Sequence, residues 1–197
     1  MSGPILTRPP WDDYFMALAF VTAMRSPDPD TKHGSVLCDE HHRILGVGYN
    51  GFPHGVDDST MPLTRPAKYG VIIHSEVNCL LHAKHPANPD RCVLYVTGHP
   101  CLECFKIIVQ YGVRHVVYGG VQSQMIDADA LKTIRFLATA AGVRLTPYCG
   151  GFIGLLEMAL AYAQRRGLVP PVALWRLISD RIGAAVKIAW NRFWRRA

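Results

Sequence analysis

The sequence predicts an α/β fold in which a mixed sheet is covered by helices on both faces, and three observations predict it. Segments with helical spacing alternate with short β-branched runs, in the order α-β-β-α-β-α-β-α-β. Two glycines, Gly112 and Gly142, stop helical segments just ahead of a strand. A polar break, DEHHR at residues 39–43, joins two strand-like runs as a hairpin, which makes part of the sheet antiparallel.

Each element carries its own signal. WDDYFMALAFVTAMRS (11–26) follows prolines, places acids in its first turn and repeats apolar residues at helical spacing. GSVLCD (34–39) and RILGVGYN (43–50) are the hairpin strands. Residues 51–69 are rich in Pro, Gly and Asp and predict a long loop, a feature more often functional than ornamental in a compact domain. HSEVNCLLHAK (74–84) then reads as a helix, CVLYV (92–96) as a strand and CLECFKIIVQYG (101–112) as a helix. HVVY (115–118), DADALKTIRFLATAAG (127–142) and VRLTPY (143–148) complete the alternation as strand, helix and strand.

A chain of 197 residues suffices for one domain plus an appendage, and we expect the domain at 1–149 and a helical extension at 150–197. The formal charge of +6 is concentrated: residues 163–197 hold eight basic side chains against the single acid Asp180, so the rest of the chain is close to neutral. A basic balance therefore says nothing about the main domain. No apolar run at the N-terminus is long enough for an export signal, and Glu157 interrupts FIGLLEMALAYAQ, so a cytoplasmic, reducing location is expected. Under those conditions Cys38, Cys79, Cys92 and Cys149 are expected to act as small buried hydrophobes.

The chemistry lies in two motifs that each open a helix. Cys101 and Cys104, behind Pro100, share one helical face, but two thiolates supply half of the four-ligand shell that zinc prefers. His74 opens the preceding helix. In a helix-strand-helix unit the two N-termini can lie side by side, where their partial positive charge favours thiolate over thiol. Three protein ligands leave a fourth zinc position for water, and Glu76, two residues from His74, is placed to carry its proton. H-x-E with P-C-x-x-C is the signature of zinc-dependent nucleobase deaminases. His99 is the nearest candidate for a fourth, structural ligand, and we expect it on a loop instead.

The motifs RSPDPDTKHGSV, GVGYNGFPHGVDD, HSEVN and HPCLECFKIIVQYGV, in that order, resemble those of the deoxycytidylate (dCMP) deaminase family of the cytidine deaminase superfamily. The resemblance runs from Trp11 to Tyr148. It implies a three-layer, cytidine-deaminase-like fold with a five-stranded mixed sheet. It also implies a Zn2+-dependent hydrolase of pyrimidine metabolism converting dCMP, or a 5-substituted dCMP, to dUMP and ammonia. Carried over by position, His74, Cys101 and Cys104 hold zinc and Glu76 shuttles protons. Asn50 contacts the sugar, Ser26 lies near the phosphate, Lys32 is a further phosphate candidate, and Ser75 and Pro100 sit beside the base. Where the family usually reads HAE, this chain has Ser75 and so an added hydroxyl. The family also implies a homo-oligomer, often a hexamer, and the GYNGFPHG loop allows regulation by dCTP and dTTP.

Two other classes stand beside this reading. Related zinc deaminases act on cytosine or adenine within single-stranded nucleic acid, and the basic tail offers phosphate contacts, but the core shows no interleaved aromatics of the kind such a groove needs. A non-catalytic zinc scaffold is disfavoured by Glu76. The tail itself, PVALWRLISDRIGAAVKIAWNRFWRRA, predicts an amphipathic basic helix. Packing on its own domain or a sister subunit is favoured for that helix over a membrane surface or a nucleic-acid partner.

Overall fold

The computed structural model describes residues 8–121 and 126–166; the expected tail helix lies outside the described residues. The chain divides into two compact units between Gly150 and Gly151. The first holds α1 (Trp11–Ala23), β1 (Gly34–Cys38), β2 (Ile44–Tyr49), α2 (Ser75–His82), β3 (Val93–Gly98), α3 (Leu102–Tyr111), β4 (His115–Val121), α4 (Ala128–Ala141) and β5 (Arg144–Pro147). The second contains α5 (Phe152–Arg165).

The sheet runs β2-β1-β3-β4-β5. β1 pairs antiparallel with both β2 and β3, whereas β3-β4 and β4-β5 are parallel, so the sheet is mixed as expected. Side chains alternate across it by the two-residue period of a strand. Leu37, Leu94 and Val116, in register on neighbouring strands, share a core with Cys79 and Leu80 of α2, Phe105 and Ile108 of α3, and Ile134 of α4. Val36, Tyr95 and Val117, one residue out of phase, point to the opposite face, where Phe15 of α1 stacks on Tyr95 with ring centroids 5.1 Å apart. Both faces are therefore covered.

Close approach fixes the helix that matters most. A Cβ on Gly48 of β2 would come within 2.2 Å of Cys79 N and 2.4 Å of Ser75 O, so only glycine lets the first turn of α2 lie on the sheet. Gly112 ends α3 with φ +103, a left-handed cap open to glycine at no steric cost.

Three expectations need correction. Helix α1 stops at Ala23 and not at Ser26, because Met24, Arg25 and Ser26 donate to carbonyls three residues back and Pro27 then offers no donor. The 51–69 loop contains a short 3-10 turn at Asp58–Thr60, and a second turn, Ala67–Gly70, runs past its end. Cys38, Cys79 and Cys92 are buried, but Cys149 is exposed, since it lies past the end of β5 and outside the sheet's covered faces.

Candidate metal and catalytic site

The site forms where the N-termini of α2 and α3 meet. His74 is the N-cap of α2, with extended backbone (φ −73, ψ 156), and Cys101 is the N-cap of α3 in nearly the same conformation (φ −71, ψ 166). Both side chains thus leave the helix before its regular turns begin. Cys104, one turn into α3, returns to the same point.

His74 Nδ1 lies 3.4 Å from Cys101 Sγ and 3.2 Å from Cys104 Sγ. All three ligand atoms fall within 4.8 Å of one another. Nitrogen and sulfur ligands on one tetrahedral zinc stand about 3.6 Å apart, so this donor set fits that ion with little movement. Among the described residues no other group of His, Cys, Asp or Glu has this form. His99 is not part of it: its Nδ1 sits 2.8 Å from Pro100 O and its ring packs edge-on against Tyr118.

Charge in the cluster favours a metal. The Cys101 thiol is pulled down to about 4, first by the hydrogen bond from Cys104 and then by His74, against the opposing effect of burial. Cys104 is pushed up, because its proton is the one it donates to Cys101 and because it is buried. His74 is drawn upward by its bond to Cys101, with burial opposing. Cys101 is thus a thiolate beside a protonated Cys104, and a cation bound here would replace that proton.

Glu76 is 5% exposed and lines the same pocket as His74 and Cys101. Burial raises its carboxyl above the usual range, against the lowering influence of His74. His33 forms part of the opposite wall. Burial, then the charge of His74, lowers it to about 4, so it is a neutral imidazole, with Nδ1 3.3 Å from Thr97 Oγ1.

The other expected residues are distributed differently. Asn50 lines the pocket, but its amide is engaged: Oδ1 accepts from His33 N at 2.7 Å and Nδ2 donates to Thr31 O at 3.0 Å. Ser26, Lys32, Ser75 and Pro100 do not line it. Ser26 is buried with Oγ accepting from Asp28 N, and Lys32 Nζ donates to Ser26 O, so this pair closes its own turn. The Ser75 hydroxyl faces Glu76 and Ser35. Pro100 is buried ahead of the Cys101 cap.

The cations at the pocket come instead from the 51–69 loop. Lys68 is buried and bound to Asp28, while Arg65 donates to Thr31 Oγ1 at 3.0 Å and keeps part of its guanidinium open to solvent. Neither was singled out from sequence. The available signal was the loop's unusual length, which marked the segment without marking its residues.

Comparisons with known proteins agree with this geometry. Residues 9–120 match the family described as the cytidine and deoxycytidylate deaminase zinc-binding region. Deoxycytidylate deaminase of Homo sapiens is 34% identical over 152 residues, which span 73% of this chain and 84% of the relative. The Mus musculus deoxycytidylate deaminase is 36% identical over 139 residues, spanning 68% and 76%. The crystal structure of dCMP deaminase from the cyanophage S-TIM5 in apo form superposes with a TM-score of 0.55 at 25% identity, covering 72% of this chain and 100% of that one.

Proposed function

The chain belongs to the cytidine and deoxycytidylate deaminase family, and from that premise we propose that it hydrolyses the 4-amino group of dCMP, or of a 5-substituted dCMP, to give dUMP and ammonia. One observation carries the reading: a buried glutamate shares a pocket with a three-ligand His-Cys-Cys group, which leaves room for a reacting water. Zinc, when held by His74, Cys101 and Cys104, supplies the Lewis acidity that lowers the pKa of a water toward neutral. Glu76 takes one proton from the attacking water and delivers it to N3 of the pyrimidine, then takes the proton of the new hydroxyl on C4 and delivers it to the departing amine, a repeated use that its raised pKa supports. His33 and Ile72 wall the pocket, and Asn50 keeps the Thr31–His33 backbone against it.

The 5′-phosphate meets Arg65 in this reading. Lys68 is neutralised by two carboxylates, whereas Arg65 stands 3.8 Å from Asp30 and its side chain is 34% exposed. Ser26 and Lys32 then contribute by shaping the turn under that edge. Assembly as a homo-oligomer, with dCTP and dTTP acting at the exposed end of the GYNGFPHG loop, belongs to the same proposal; its Gly55 has φ +83.

Initial rates on dCMP, dCTP, deoxycytidine and a cytosine-containing oligonucleotide test it. The monophosphate is expected to be used best, and faster turnover of the oligonucleotide would favour action on single-stranded nucleic acid.

A further inference from the structure

We propose that Ser35 and Ser75 form a two-hydroxyl relay that holds the Glu76 carboxylate from behind, which makes the Ser75 hydroxyl a positioning group and not a substrate contact. Ser35 stands on β1 and Ser75 is the first residue of α2, between the ligand His74 and Glu76. Ser35 Oγ donates to Ser75 Oγ at 2.8 Å, and Ser75 Oγ donates to Glu76 Oε2 at 3.0 Å. Each hydroxyl has one proton to give, so the chain has a direction and ends on the carboxylate.

Both serines are 0% exposed. Glu76 lines the pocket and the serines do not, so they reach the carboxylate from the protein side while its other face meets the pocket. Oε2 accepts from Ser75 on the side away from the pocket, and proton exchange takes place on the side that meets it. A carboxylate bound through one oxygen loses rotation about its terminal bond, and a hydrogen bond to a charged group is among the stronger ones. The anchor is rigid, because Gly48 lets the first turn of α2 rest on the sheet that carries Ser35.

This inference rests on the reading of Glu76 as proton carrier, and its test separates the two. Zinc-loaded full-length protein is assayed on dCMP as wild type, Ser75→Ala, Ser35→Ala, the double alanine variant, Ser35→Thr and Glu76→Gln, with zinc content and melting temperature measured for each. Ser75→Ala is expected to lower kcat about tenfold with KM and zinc content unchanged, the size of one lost hydrogen bond to a charged group. Ser35→Ala is expected to lower it about threefold, the double variant no further than Ser75→Ala alone, and Ser35→Thr, which keeps the hydroxyl, to restore it. A Ser75→Ala kcat within twofold of wild type, beside an inactive Glu76→Gln, overturns the relay and leaves the glutamate's role intact. Additive losses in the double variant, or a fall in kcat matched by a fall in zinc, also overturn it by assigning the effect to structure. An active Glu76→Gln overturns the underlying reading instead.

Discussion

Lys68 Nζ lies 2.8 Å and 2.9 Å from the two carboxylate oxygens of Asp28, with both side chains buried, and 3.1 Å from Asp30 Oδ2. This pair ties the turn after α1 to the turn before α2 and forms one wall of the pocket. Removing one partner of a buried pair leaves a charge without compensation. Lys68→Met is therefore expected to lower unfolding stability by about 3–5 kcal/mol, measured by urea titration, and the double variant Asp28→Asn/Lys68→Met by clearly less.

The pH dependence of that pair has a definite sign. Burial pushes the Asp28 carboxyl up, but Lys68 and the backbone N–H groups of Asp30 and Thr31 outweigh it, so its pKa falls below 3.8. Its contribution is present above that value and is lost as pH drops through the depressed folded pKa. Burial lowers the Lys68 pKa, but bonds to Asp28 and Asp30 win and raise it above 10.5; its contribution is present below that value and disappears as pH rises through the raised one. The stability gap between wild type and the double variant should be flat through neutral pH and shrink at both extremes. Urea midpoints across a pH series check this, and a gap that widens in acid would contradict it.

The proposed metal ligands make a simple prediction. Cys104→Ala removes one of three donors, so zinc content measured by atomic absorption should fall with activity, and the same holds for Cys101→Ala and His74→Ala. Cys79→Ala removes a buried thiol of the core and should cost stability while zinc is retained.

Glu76→Gln separates binding from chemistry. The amide keeps the shape of the side chain but cannot carry the proton, so zinc should remain and kcat should fall by about 10²–10⁴. Single-turnover rates beside metal analysis read both quantities.

Arg65→Ala should act on phosphate recognition alone. The KM for dCMP is expected to rise several-fold while deoxycytidine turnover stays as it was, since the partners of Arg65 are Thr31 and Asp30 and not His74 or the thiolates. Lys32→Ala, whose ammonium is turned onto Ser26 O, should change the dCMP KM less.

What was legible in the sequence followed from local rules. Helical and strand periods give the order of the elements, and the i, i+3 spacing of Cys101 and Cys104 with His74 at a helix start points to the candidate metal group, because caps and turns are set by neighbours in sequence. The pocket wall is different. Arg65, Lys68 and Asp28 meet only after the loops on either side of the hairpin fold back, and no period marks them. Ser26 and Lys32 carry the residue types of a phosphate site, yet their polar groups close a local turn; Asn50 likewise braces backbone. Ser75 was visible as a departure from the usual alanine, but its direction depended on Ser35, forty residues away on β1.

Hydrolysis in this pocket adds water across C4 of dCMP and expels the amine. The most direct measurement is turnover of dCMP by zinc-loaded protein in ¹⁸O-water, with the product analysed by mass spectrometry and ammonia counted alongside. The expected product is dUMP carrying one solvent oxygen on the base for each ammonia released. Unchanged dCMP after incubation with protein of full zinc content would contradict it.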